Sequence, residues 1–182
     1  MAETASSMLA PWSSFYVVTG SAAASLTGLM FVVITLVTGV ERARRSRDGI
    51  SVFSTPTVVH FSSALFVSLV LSAPWRSLIQ PAALIGLMGL YGVVSALIVM
   101  YRTRRFAAYR ADLEDWTWYM VLPFIAYAVL LAGAIMLALV PAKAPFALAG
   151  SVALLIFIGI HNAWDVVTFL AIGGHEEPPS SS

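Results

Sequence analysis

Cysteine is absent from the 182-residue chain, which excludes a disulfide framework, a thiolate nucleophile and any cysteine metal site. Redox compartment is therefore not readable. Charge is almost as scarce: Asp, Glu, Lys and Arg make up 10% of residues, where a soluble domain carries about 25%. No basic residue precedes Arg42 or follows Lys143. The beginning thus lacks the basic n-region of a secretory signal, and its apolar run is too long for one, so a retained first span is expected. The common enzyme motifs are missing as well. There is no Gly-rich phosphate loop, Gly-x-Ser-x-Gly elbow or His-Glu-x-x-His pair. Asp165 is the only acid inside an apolar segment, which excludes a paired-aspartate intramembrane hydrolase. A serine version would rest on Ser62 or Ser63 beside His60. The expectation is no enzyme and no cofactor.

What the chain does have is hydrocarbon: 59% hydrophobic residues and a mean hydropathy of +0.88. A spanning helix needs about 20 mostly apolar residues, and five segments qualify, at about 14–40, 56–73, 81–101, 117–140 and 146–172. The expected fold class is all-α, a polytopic integral membrane helical bundle of five transmembrane helices forming one domain over 1–172. Residues 173–182, with Pro178-Pro179 and terminal serines, are expected to be a disordered cytoplasmic tail.

The ten basic residues alternate between the connections. Arg42, Arg44, Arg45 and Arg47 follow the first span, Arg76 the second, Arg102, Arg104, Arg105 and Arg110 the third, and Lys143 the fourth. Short Arg-rich loops stay cytoplasmic, so the pattern predicts the N-terminus outside and the C-terminus inside. Trp12 and Trp75 then fall at the outer interface, and Tyr101, Trp116, Trp118 and Tyr119 at the inner one, where amphipathic rings prefer to lie. The expected location is a bacterial inner membrane, multi-pass.

Arg-x-Arg-Arg occurs twice, at 42–45 and 102–105. The plainer reading is two independent cytoplasmic anchors; a repeated hairpin is the other. Anionic lipid headgroups are the expected partners of Arg42, Arg44, Arg45, Arg102, Arg104 and Arg105, at about 1 kcal/mol each. Nucleic acid is not needed to explain them. Over 102–115, Phe106, Tyr109, Leu113 and Trp116 recur at helical spacing. This fits a helix lying in the inner interface, or an extension of the third span.

Small residues mark faces for close helix approach. The first span has Gly20, Ala24 and Gly28, and the third has Gly89 and Gly92 among others. Packing within one chain is favoured over a homo-oligomer contact. Pro123 is expected to kink the fourth span, leaving a carbonyl in need of a partner. The run Phe15-x4-Gly20-x2-Ala23-x2-Leu26-Thr27-Gly28-Leu29-Met30-Phe31-Val32 resembles the opening helix of a loose group of small, mostly uncharacterised bacterial integral membrane proteins. Some of these are labelled modulator of a membrane AAA protease. The resemblance covers about twenty residues of the first span. It implies a bacterial inner-membrane protein with a membrane-protein partner and carries no site residues across.

The most costly residues lie in the fifth span, where His161, Asn162, Asp165 and Thr168 fall within two helical turns. Intramembrane ionisable groups face the protein interior and are paired. With the arginines setting orientation, His60 of the second span is expected at similar depth, giving a two-helix polar cluster. Three readings compete. The cluster is hydrogen-bonded glue inside a non-enzymatic factor that acts through protein contacts. Alternatively, it is the proton or cation relay of a small oligomeric transporter or channel. Or His60 and His161 hold a metal or bis-histidine haem, although two histidines are few for a metal and no metal site is expected.

Overall fold

Hydrocarbon leaves a backbone no water to bond, so a chain this apolar must satisfy its peptide groups within each segment, and helices do this. The computed structural model describes residues 5–44, 50–105 and 116–173, with side chains at 7–35, 57–101 and 116–168. All described elements are helical. A short lead-in, α1 (Ala5–Leu9) and a 3-10 turn (Ala10–Trp12), runs into α2 (Ser13–Arg44). Then come α3 (Ile50–Ser72), α4 (Ile79–Arg105), a π turn (Thr117–Val121) leading into α5 (Leu122–Leu139), and α6 (Ala144–Gly173).

Among the described residues, four stretches are long and apolar enough to cross a membrane: Ser7–Thr35, Ile79–Tyr101, Thr117–Leu139 and Ala144–Thr168. The described apolar part of α3, Thr57–Ser72, is shorter than the other four. The helix itself starts at Ile50, six residues before the start of the span expected at 56–73. Proline is tolerated within bundle helices when neighbours re-satisfy the backbone. The interface helix expected beyond Arg105 and the tail beyond Gly173 fall outside the described residues.

The helices are neighbours in the order α2, α3, α6, α5, α4. The last helix therefore inserts between two antiparallel pairs, and the consecutive helices α3 and α4 scarcely touch. Each close contact has a small-residue cause. Gly20 of α2 faces Ser68 of α3, where an added Cβ would stand 3.0 Å from the Ser68 Cβ. Thr19 Oγ1 lies 3.1 Å from Ser68 Oγ in the same contact. Gly159 of α6 admits the Phe61 ring of α3, and Gly133 of α5 receives Leu148 of α6. On α4, Gly89 lies against the Leu131 backbone and Gly92 against the Tyr127 ring. Ala24 and Gly28 behave differently: both are exposed, and nothing lies within 4 Å of a Cβ added at Gly28.

The ends are tied by polar and aromatic contacts. At the start of α6, Tyr16 donates to the Pro145 carbonyl at 3.4 Å, and Trp12 meets Phe146 edge-on at 4.8 Å. After α3, the Trp75 indole donates to the Val70 carbonyl. Ahead of Pro123, where a kink is expected, the chain has a turn of π geometry. Proline supplies no N–H, and the preceding turn widens to π geometry, with the Leu122 N–H bonding Thr117 O.

At Gly89 an added Cβ would stand 2.8 Å from the Leu131 nitrogen and 2.9 Å from its Cα, backbone that cannot rotate aside. Gly89→Ala is therefore expected to destabilise the bundle by about 1–3 kcal/mol, read as a lower midpoint in detergent unfolding. Gly28→Ala should be neutral or stabilising, because Ala is the better helix former by about 1 kcal/mol. Equal effects at the two glycines would show that α4 and α5 are not in backbone contact.

Candidate functional site

The polar residues of the bundle form two clusters rather than one. In the first, His60 of α3 is buried and its Nδ1 lies 3.1 Å from the Tyr127 hydroxyl of α5. Ser63, one turn along α3, is 3.0 Å from the same hydroxyl. Ser63 has a single proton, and it points to the Val59 carbonyl at 2.8 Å. The assignment that satisfies all three groups has Tyr127 donating to Ser63 Oγ and accepting from the His60 Nδ1–H. Tyr127 reaches α3 because Gly92 gives its ring room on the α4 side.

The second cluster lies at the other end of α6. His161 Nδ1 approaches Asp165 Oδ2 to 3.2 Å across one turn, and Tyr119 donates to the same oxygen at 3.3 Å. The His161 ring stacks flat on Trp118, centroids 3.8 Å apart at 6°. The π turn delivers both aromatic partners, because it places Trp118 and Tyr119 on consecutive positions beside α6. Asp165 is 41% exposed, so it stands at the edge of the bundle and not in its interior. Thr168 turns back on its own helix, donating to Trp164 O at 3.0 Å and Asp165 O at 3.1 Å.

Geometry separates the groups that were expected together. Helices α3 and α6 run antiparallel with Phe61 against Gly159, which brings His60 level with Ile160 and Asp165 level with Thr55. Five residues, or about 7 Å of helix, separate His60 from Asp165 along the axis. The two side chains make no ion pair or hydrogen bond with each other; His60 is spent on Tyr127 and Asp165 on Tyr119 and His161. Among the described residues no group of three or more His, Cys, Asp or Glu could hold a metal ion.

Asn162 follows neither cluster. It is fully buried, and its amide nitrogen and oxygen have no hydrogen-bond partner among the protein groups. Its neighbour His161 sits on Trp118, so Asn162 lies level with the π turn that precedes Pro123.

The sequence reading found His60, His161 and Asp165 but not their aromatic partners. Tyr127 carried a usable signal: it is a lone hydroxyl in the middle of Thr117–Leu139, the most hydropathic of the four spanning stretches at 2.4. Trp118 and Tyr119 were read as interface anchors only. Comparison of the chain with protein-family models, curated proteins and solved structures gives no match.

Aromatic pairs contribute about 0.5–1.5 kcal/mol beyond area burial. A double-mutant cycle with Trp118→Leu and His161→Leu is expected to give a coupling in that range in detergent unfolding. Additive losses would mean that the stack does not hold α6 to the start of α5.

Proposed function

We propose that the protein is a five-span, non-enzymatic factor of a bacterial inner membrane that acts through protein contacts, with its polar residues serving as internal glue. The observation that carries this reading is the division of the polar side chains. His60 is bonded to Tyr127, whereas Asp165 and His161 pair with each other and with Tyr119 about 7 Å away along the helices, so the expected two-helix cluster is divided. Interhelical polar bonds of this kind contribute on average about 0.6 kcal/mol each, and up to about 1.7. They hold helices without needing a path between them.

In this reading α3 is the fifth crossing, completing an N-out, C-in topology that follows from the arginine alternation between loops. The partner surface is the exposed face of α2 bearing Ser21, Ala24, Ser25 and Gly28. These small residues would let another helix approach closely, and they lie within the run that resembles the small bacterial membrane proteins. Arg42, Arg44, Arg102, Arg104 and Arg105 end the two helices that reach the cytoplasmic side, where anionic headgroups would meet them.

A second reading, a small oligomeric proton or cation pathway, draws on one observation: Asp165, paired with His161 at 3.2 Å, is half-exposed toward the inner end of α6. Reconstituted liposomes separate the two. Protein-containing vesicles carrying a pH-sensitive dye are expected to show no flux above empty vesicles, with Asp165→Asn unchanged. Proton or cation flux abolished by Asp165→Asn would overturn the glue reading. Topology is testable on the same cysteine-free background. Single cysteines replacing Ala5 and Ser77 should label from outside, and those replacing Ser46, Ala107 and Pro178 only after permeabilisation. External labelling at position 178 would contradict five crossings.

A further inference from the structure

The gap between α3 and α4 is a lateral groove of about 400 Å³. Both walls are helices of the bundle, and its mouth faces the surroundings of the protein, not its interior. The lining is divided by character. The hydroxyls of Ser62, Ser63 and Tyr91 lie in one half, with Val58 and Val59 beyond them, and the other half is hydrocarbon. The antiparallel register follows from Ser63 Oγ and Met88 Sδ at 3.6 Å, which sets Tyr91 near the level of His60 and Leu84 near that of Val67. One half thus presents hydroxyls within an otherwise apolar lining, and the other only hydrocarbon.

Depth decides what can reach the hydroxyls. Ser63 lies nine residues from the end of α3 at Ser72, and Met88 nine from the start of α4 at Ile79. Both are therefore about 14 Å from that face, near the middle of a hydrocarbon layer about 30 Å thick. Phospholipid ester and phosphate oxygens stay at the rim of that layer and do not reach its centre. The groove is lined by no acidic or basic side chain, so a charged group would have nothing to pair with. Ser62 is exposed in the groove, and its hydroxyl has no hydrogen-bond partner among the described residues. An unpaired hydroxyl facing hydrocarbon is costly and is relieved by a ligand acceptor.

We infer that this groove binds a neutral lipid without a charged headgroup, carrying carbonyl oxygens on a ring and a hydrocarbon tail, of the prenyl-quinone kind. The carbonyl accepts from Ser62, the ring lies between Tyr91 and Met88, and the tail leaves past Phe66 and Leu87 into the bilayer. Sites of about 300–1,000 Å³ that are mostly apolar with a few placed polar groups are the usual dimensions for such ligands. Ser63 floors the groove and connects it to Tyr127 and His60, so occupancy would be felt by the bonds that join α3 to α5.

The test uses the full chain in detergent with decylubiquinone as probe and phosphatidylethanolamine as the competing lipid, with bound mass read by native mass spectrometry. One quinone per chain is expected, and a tenfold excess of phosphatidylethanolamine should not displace it. Ser62→Ala should weaken binding about tenfold, as loss of one hydrogen bond does. Ser62→Phe, which fills the groove from an outward position, should abolish binding while leaving the unfolding midpoint unchanged. No quinone binding, quinone binding that survives Ser62→Phe, or displacement by phosphatidylethanolamine would each overturn the proposal.

Discussion

Among the described polar contacts, the Tyr127 hydroxyl of α5 is the one held by two side chains of α3. A phenol placed inside a bundle that faces hydrocarbon cannot borrow a water, so it must find its partners on neighbouring helices. Tyr127 finds both on α3, in His60 and Ser63. Its ring in turn needs a recess on α4, which Gly92 provides. One residue thereby joins α3 to α5 and lets α5 close on α4. The approach of α4 continues at Gly89, against the backbone of Leu131. Because α3 and α4 meet directly at few points, Ser63 on Met88 among them, a gap stays open between them, and this gap is the groove lined by Ser62, Met88 and Tyr91.

The cluster at the end of α6 follows a different logic. Asp165 is partly exposed and has help from a histidine one turn away and a tyrosine on the next helix. At such a site the desolvation penalty is small and so is the gain from pairing. The flat stack of His161 on Trp118 does more to fix geometry, since it constrains two rings on two elements. The π turn is what makes it available. A regular turn before Pro123 would rotate Trp118 away from α6, and the missing proline N–H makes the wider turn cheap.

Much of the fold could be read from composition. Uninterrupted apolar runs bounded by proline and arginine located the helices to within a few residues at 81–101, 117–140 and 146–172. Helix α3 starts at Ile50, ahead of the span expected at 56–73, because a helix can extend past the apolar stretch that composition marks. The glycines were also legible in kind, but not in direction. Gly20, Gly89 and Gly92 turn toward neighbours, whereas Ala24 and Gly28 turn outward, and a stripe on one helix cannot say which other helix it will meet. Neighbour order was the larger gap. Depth arguments placed His60 opposite Asp165, yet the partner of a polar group is decided by which helix packs where. The insertion of α6 between α3 and α5 is a long-range property that no local pattern encodes. Tyr119 was read as an interface anchor only, and Tyr127, the residue on which the interior depends, drew no reading of its own.

The claim that Tyr127 couples α3 to α5 is tested most directly by a double-mutant cycle in equilibrium unfolding, combining Tyr127→Phe with His60→Ala in the full chain. The account predicts non-additive losses with a coupling of about 0.6–1.7 kcal/mol, because the second substitution removes a bond already broken by the first. Additive losses would contradict it and would mean that the two helices are held by packing alone.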